Sequence, residues 1–453
     1  MKRDNFGSKL GILAAAAGSA IGLGNIWKFP YITGKNGGAA FILVYLVCIA
    51  LIGLPVMISE FVLGRKTQAN AVGSFKKIEP KKPWFLSGYL ATLTAFIILS
   101  YYAMIAGWIL SYIGRAATGK IVSVAPANLG AYFEGIIGNS TESIICTFVV
   151  IVLTALVVIS GIKNGVEKYC KILMPVLFGI LILLMFRSLT LDGASKGVEF
   201  LFKPDFSQLT TKGVLEALGH SFFTLSLGMG IILTYGSYID RKEDIVKLAI
   251  QVTIADTVIA LMAGLVIFPA VFAYGLEPTK GAGLIFVTLP AVFSEMPFGN
   301  IFGFLFFSLI GIAAITSTIS LLEVVVSFAI EEFGLKRKKA TILVSSAIFL
   351  VSLLSIMSFG PWSNVTIFGK TFFGLFDFIT SNIFLPIGGL LISIFVGWVW
   401  GTENTIKEIT SQGLYKLRAK GLYSFIIKFL APAAIFLILL NSTGLLNKLL
   451  GSN

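Results

Sequence analysis

Stretches of about twenty apolar residues recur along this chain, separated by short polar or basic segments, and they decide the solvent in which it folds. A helix needs about 20 such residues to cross the hydrocarbon of a bilayer, where its backbone groups find no water and must bond within the segment. The runs predict spans near residues 10–33, 38–63, 84–114, 143–161, 165–189, 214–238, 243–274, 298–330, 340–358, 371–400 and 422–441. The chain is thus expected to be an all-α integral membrane protein of about eleven transmembrane helices. Residues 281–296 (GAGLIFVTLPAVFSEM) are apolar but short and carry Pro290, so they read as a partly buried loop helix; a twelfth crossing there is the main alternative. Only 13% of the residues are charged, about half the share of a soluble domain.

The net charge of +13 is placed as a membrane protein places it, not as a nucleic-acid binder does. Roughly 23 basic residues fall on the N-terminal side of the predicted membrane and about 11 on the other, which the positive-inside rule reads as a cytoplasmic N-terminus. Arg65, Lys66, Lys76, Lys77, Lys81 and Lys82 follow the second span, and Lys336, Arg337, Lys338 and Lys339 follow the eighth. An odd number of crossings then puts the C-terminus outside, in a cytoplasmic (inner) membrane. The opening MKRDNFGSKLGILAAAAGSAIGLG has the charge pattern of a signal peptide, but its small residues run on into Asn25, Trp27 and Pro30, which suit a helix break better than a cleavage site. Cys48, Cys146 and Cys170 lie in apolar spans without ligand spacing, so inert thiols are expected, with no disulfide framework or metal cage.

Two spans carry polar, glycine-rich centres: Gly18-Ser19-Ala20-Ile21-Gly22-Leu23-Gly24-Asn25 in the first, and Thr224-Leu225-Ser226-Leu227-Gly228-Met229-Gly230 in the sixth. Glycine costs a helix about 1 kcal/mol relative to alanine, so each is a place for the helix to open. Close helix packing through small residues is the competing explanation. Position favours opening, because the two segments lead successive sets of five spans. Interrupted helices in corresponding halves mark the binding site of an inverted-repeat transporter. Freed N–H groups at a helix N-terminus suit a carboxylate, and freed carbonyls suit Na⁺ or an ammonium group.

At these residues the sequence resembles the neurotransmitter:sodium symporter family, above all its bacterial amino-acid branch with a five-plus-five inverted repeat. GSAIGLGNIWKFPYITGKNGGAAF (18–41), FFTLSLGMGIILTYGSY (222–238) and AAITSTISLLE (313–323) carry the resemblance, which extends over the whole chain. It implies a core over 1–400, with repeats at 1–189 and 214–400, and an added segment at 401–453 holding a cytoplasmic loop, the eleventh helix and a short outer tail. The implied activity is alternating-access symport of an amino acid, most plausibly hydrophobic or aromatic, with sodium; a channel or an amino-acid sensor of the same fold is the alternative. Two sodium ions are implied, no organic cofactor, and a monomer or weak oligomer whose partners are its amino-acid substrate and the lipid bilayer.

Carried over by position, the first sodium would meet the Ala20 carbonyl, Asn25, Thr224 and Asp256, together with the substrate carboxylate. The second would meet the carbonyls of Gly18, Ile21 and Ala313 and the hydroxyls of Thr316 and Ser317. Both sets are oxygen, as a hard cation requires. The resemblance places the substrate carboxylate against the N–H groups of Leu23 and Gly24 and the Tyr102 hydroxyl, and the amine against carbonyls of Ala20, Phe223, Thr224 and Ser226. Ile98, Phe223, Met229 and Leu321 would form the side-chain pocket. Gly22 stands where monoamine carriers of the family bear aspartate, which favours an amino acid. Asp256 stands where the family usually has asparagine, and its carboxylate would take the place of the chloride that animal members use.

The resemblance also implies gates. Lys28 and Asp377 would face each other on the outer side, and Arg3, Tyr238 and Glu331 would close the inner one. His220, the only histidine, is expected as a satisfied polar neighbour of the outer gate rather than a proton relay. A membrane enzyme is disfavoured, since no His cluster, nucleophile elbow or phosphate loop is present.

Overall fold

The computed structural model describes residues 4–276 and 283–446. The first span opens with α1 (Lys9–Ala20), started by the Ser8 side chain accepting from Gly11 N, and resumes as α2 (Gly24–Lys35) after a 47° bend. Then follow α3 (Ala39–Thr67), α4 (Phe85–Ala117), α5 (Ser140–Ile159) and α6 (Ile162–Leu189). The sixth span is again two pieces, α7 (Thr211–Thr224) and α8 (Ile231–Gly236), separated by non-helical chain. After it come α9 (Ile245–Ala273), the short α10 (Leu284–Glu295), α11 (Gly299–Phe333), α12 (Arg337–Met357), α13 (Phe372–Val399) and α14 (Lys420–Ser442).

Among the described residues nine helices are long and apolar enough to cross a membrane, and the bent α1–α2 pair makes a tenth. Neither α7 nor α8 could cross alone, so together they form the eleventh span read from the sequence. α10 is too short to cross, as the loop-helix reading of 281–296 expects, with 281 and 282 outside the described residues. Each half of the chain therefore begins with a broken span, giving the five-plus-five arrangement. α1 packs against α6, α9 and α11, and the long α11 lies along α4, so the two breaks sit at the middle of the bundle.

Proline accounts for a second regularity. Of the seven short π-helical segments among the described residues, five, 24–28, 49–53, 284–288, 380–384 and 426–430, each run directly into an α-helical stretch with proline in its first two positions: Pro30, Pro55, Pro290, Pro386 and Pro432; 162–167 and 395–399 do not. Proline lacks an N–H and its ring collides with the carbonyl four residues back; widening the preceding turn relieves the clash without ending the span.

At its far end α3 is held by a buried polar knot. Arg65, fully buried, donates from Nε to Glu408 Oε1 at 2.9 Å, from one terminal nitrogen to the Glu243 carbonyl at 2.7 Å and from the other to the Glu408 carbonyl. One guanidinium thereby ties α3 to the turn before α9 and to the segment before α14.

α3 and α8 meet through glycine. A methyl at Gly64 would lie 1.9 Å from the Leu233 carbonyl oxygen, and one at Gly236 would lie 2.5 Å from that of Phe61. Both obstacles are backbone and cannot swing aside. Gly64→Ala is expected to lower stability in detergent by at least the roughly 1–3 kcal/mol of an overpacked core. Gly179→Ala on α6, with nothing within 4 Å, should leave it unchanged or higher. Thermal unfolding of the two purified variants checks this; equal stability would mean that α3 and α8 are not in contact.

Candidate substrate and cation site

At the end of α1 the chain turns extended at Ile21 (φ −76°, ψ 97°), and the next N–H groups leave the helical ladder. Gly22 N donates to Asn25 Oδ1 at 3.0 Å, Leu23 N to the Tyr102 hydroxyl at 3.2 Å, and Asn25 N to the Gly22 carbonyl at 3.2 Å. The carbonyls of Gly18 and Ile21 are thus released from their usual partners four residues on. That of Ser19 is met instead by the Ser226 hydroxyl at 3.1 Å, which joins the first break to the second. The second break runs through Ser226, Gly228 and Gly230, all at positive φ (56°, 78° and 78°). Glycine adopts that backbone readily; serine does so at a cost, here offset by its bond across to Ser19.

Asp256, fully buried on α9, gathers the groups beside the breaks. Its Oδ1 accepts from Asn25 Nδ2 at 2.7 Å and from Thr224 Oγ1 at 3.0 Å, and its Oδ2 accepts from the Tyr45 hydroxyl at 3.5 Å. Asn25 turns its amide nitrogen to Asp256 and its oxygen to Gly22. A cation between the two side chains therefore requires the amide to turn over, a half rotation that exchanges O for N in one place. On α11 the Thr316 and Ser317 hydroxyls both donate to the Ala313 carbonyl, at 3.1 and 3.2 Å, leaving oxygen lone pairs for an outside cation. These donor sets consist of carboxylate, hydroxyl, amide and carbonyl oxygens, which fit a hard cation such as Na⁺.

Between the breaks lies a cavity of about 30 Å³. Ala20, Leu23, Gly24, Ile98, Tyr102, Phe223, Thr224, Ser226, Met229 and Leu321, the substrate residues read from the sequence, all line it, joined by Ser19, Gly22, Ile231 and Ser317. At roughly 10–15 Å³ per water, it has room for about two or three waters. An amino acid enters only if the apolar walls part. Gly22 is pressed against this wall: a Cβ there would sit 2.5 Å from Ser317 Oγ and 3.2 Å from the Tyr102 hydroxyl.

The outer gate departs from expectation. Lys28 and Asp377 are not in direct contact: the Lys28 ammonium lies 4.2 Å from the centroid of the Phe223 ring, while Asp377 is exposed and accepts from Ser381 at 3.0 Å. Asp377 and Glu216 act on Lys28 only through space. A lysine ammonium is a point charge without the fork with which arginine holds a carboxylate, so the aromatic face competes for it. His220 is also not the satisfied neighbour expected. It is buried against Phe29 and Tyr45, with ring centroids 6.0 and 5.5 Å apart, and neither ring nitrogen has a hydrogen-bond partner among the described residues.

At the end of the bundle expected to carry the inner gate, Tyr238 donates to Glu323 Oε1 at 2.6 Å, and Arg337 holds the same carboxylate at 2.7 and 3.1 Å. Glu331 accepts from the backbone N and side chain of Asn70 at 2.8 and 3.1 Å. Arg3 lies outside the described residues. Sequence reasoning missed the Glu323–Arg337 pair and also Glu60, buried on α3, whose Oε1 accepts from Gly228 N at 2.7 Å and so holds the second break open. A carboxylate in the apolar run 38–63 is itself a signal of function.

The fold and its paired breaks define a multi-pass membrane carrier rather than an enzyme. The sequence profile described as the sodium:neurotransmitter symporter family matches residues 3–123 and 133–449. A sodium-dependent transporter of Bacillus subtilis, YhdH, is 41% identical over 98% of this chain and 99% of its own. One from Haemophilus influenzae is 36% identical over 97% and 98%. The crystal structure of MhsT in complex with L-phenylalanine superposes with a TM-score of 0.89 at 45% identity, covering 97% of this chain and all of that one. The chain belongs to the sodium:neurotransmitter symporter family, whose members are sodium-dependent transporters.

If Glu60 serves to anchor the open backbone, Glu60→Gln, which keeps an oxygen acceptor in place, should retain stability. Glu60→Ala leaves the Gly228 N–H without a partner and should cost about 1–3 kcal/mol. Thermal unfolding in detergent compares them, and equal loss in both would show that the carboxylate acts otherwise.

Proposed function

We propose that the protein carries a hydrophobic or aromatic amino acid into the cell with two sodium ions, by alternating access, without needing chloride. The observation that carries this reading is the convergence of both helix breaks on one small cavity whose walls are apolar and whose one edge offers the Leu23 N–H and the Tyr102 hydroxyl. Those donors suit a carboxylate, and the facing backbone of Phe223, Thr224 and Ser226 suits an amine. Two relatives support an amino acid: MhsT is crystallised with L-phenylalanine, and a Drosophila yakuba relative, 26% identical over 90% of this chain and 73% of its own, is named a sodium-dependent nutrient amino acid transporter.

In this reading Ala20, Asn25, Thr224 and Asp256 hold one sodium, and Gly18, Ile21, Ala313, Thr316 and Ser317 the other. Ile98, Phe223, Met229 and Leu321 move outward to admit the side chain, Met229 by its pliable thioether. Lys28 and Asp377 close over the outside once they meet, and Tyr238 and Glu331 belong to the inner closure. The N-terminus lies in the cytoplasm of a cell whose inner membrane holds the protein, and the segment 401–453 adds a helix outside the two repeats.

Each charge crossing with a potential of about 100 mV gains roughly 2.3 kcal/mol, so two supply about 4.6 kcal/mol. At about 1.4 kcal/mol per tenfold, that drives more than a thousandfold accumulation. Uptake of labelled phenylalanine into proteoliposomes should follow an imposed sodium gradient and potential. Equal uptake in potassium would overturn sodium coupling, and a downhill-only flux would point to a channel.

Tyr102→Phe should weaken amino-acid binding by the roughly 1.5–3 kcal/mol of a hydrogen bond to a charged group. Gly22→Asp should abolish it, by crowding Ser317 and Tyr102 and setting one carboxylate against another. Equilibrium binding to folded variants tests both, and normal binding in the two would misplace the site. If Asp256 supplies the balancing charge, wild-type uptake should be equal in sodium gluconate and sodium chloride. Asp256→Ser should lose uptake in gluconate and regain part of it in chloride; a variant indifferent to chloride would make Asp256 a structural residue.

A further inference from the structure

A second cavity, of about 290 Å³, lies at the start of α9, away from the transport site. Val246, Lys247 and Ile250 line it from α9, and Tyr415, Lys416 and Leu417 from the segment leading to α14. The Tyr415 hydroxyl donates to the Lys242 carbonyl at 2.8 Å, which fixes these two elements against each other. The Lys9–Glu243 ion pair at 3.4 Å places the cavity on the same side of the bundle as the N-terminus.

Its charge is unbalanced. Asp244 also lines it but caps α9, accepting the Lys247 N–H at 3.0 Å; Glu243 pairs with Lys9, and Glu408 with Arg65. Among the described residues neither Lys247 nor Lys416 forms an ion pair, and the exposed Arg418 and Lys420 follow close in sequence. The first turn of α9 forms part of the wall, so the positive end of its dipole adds to the field.

From Lys247 an apolar stripe runs down the outside of α9. Ile250, Ile254 and Val258, four residues apart and therefore on one face, are 39%, 58% and 41% exposed. Val258 then forms part of an apolar groove of about 510 Å³, walled by Leu13 and Ala17 of α1 and by Met174 and Phe178 of α6. From residue 247 to 258 is eleven helical steps. At about 1.5 Å each that is roughly 16 Å, the depth of one leaflet of a hydrocarbon core about 30 Å thick.

We infer that this path binds one anionic phospholipid of the leaflet on the N-terminal side. Its phosphate sits between Lys247 and Lys416, and one acyl chain follows Ile250, Ile254 and Val258 into the groove beside α1. Because α1 is half of the broken first span, the lipid braces that half against α6 and α9.

Native mass spectrometry of the full-length protein, titrated with phosphatidylglycerol or with phosphatidylcholine of the same chains, tests this apart from transport. One phosphatidylglycerol should be retained in preference. The Lys247→Gln/Lys416→Gln variant should lose about 25-fold in that affinity, on the order of fivefold for each lysine near an anionic surface. Lys81→Gln/Lys82→Gln, an equal charge change at exposed residues on the same side, should match the wild type. Equal binding of the two lipids, an unaffected first variant, or a control variant that loses as much would overturn the inference. So would glycerol phosphate that binds as tightly as the phospholipid, since the acyl path would then contribute nothing.

Discussion

In hydrocarbon a helix that opens exposes backbone groups that water cannot reach, at a cost of several kcal/mol for each one left unpaired. This protein opens two helices at the same depth, and the rest of the architecture follows from how that cost is met. Side chains answer part of it: Asn25 takes the Gly22 N–H, Tyr102 the Leu23 N–H, Ser226 bonds the Ser19 carbonyl and Glu60 takes the Gly228 N–H. Cargo is proposed to meet the remaining carbonyls and N–H groups. In that proposal protein groups and cargo occupy the same shell, which would couple binding to conformation.

The asymmetry of the supports matters. The second break is anchored to α3 by Glu60, and α8 is locked against α3 where Gly64 and Gly236 let backbone meet backbone. α1 packs against α6, α9 and α11, and one of its sides forms a wall of the lipid-facing groove. The bonds of Ser226 to Ser19 link α1 to the second break. The ion pair of Glu323 with Arg337, joined by Tyr238, ties α11 to the start of α12 and to the end of the sixth span.

Much of this is legible in the sequence, because the bilayer restricts the options. Runs of about 20 apolar residues can only be spans, and their ends fall within about four residues of the expected ones. A paired Gly-x-Gly in matching spans located the breaks, and the family resemblance turned them into ten residues that the structure gathers round one cavity. What stayed hidden depends on which way side chains turn. Nothing in the sequence says that Lys28 prefers the Phe223 ring to Asp377, that Asn25 presents nitrogen to Asp256, or that His220 is packed between rings without a hydrogen bond. Glu60 and the Glu323–Arg337 pair were visible as charges in apolar runs, but their partners come from spans far away in sequence. Five of the π-helical turns sit just before prolines, positions that periodicity alone does not weigh.

If cation and amino acid share one junction between the two breaks, thermodynamic linkage between them shows it directly. Phenylalanine affinity measured with and without saturating sodium, and the overall two-ion ²²Na⁺ binding constant measured with and without saturating phenylalanine, should change by the same factor. The shared junction predicts a factor well above one in both directions, sharply reduced in Asp256→Ala. Phenylalanine binding that is indifferent to sodium would contradict the account.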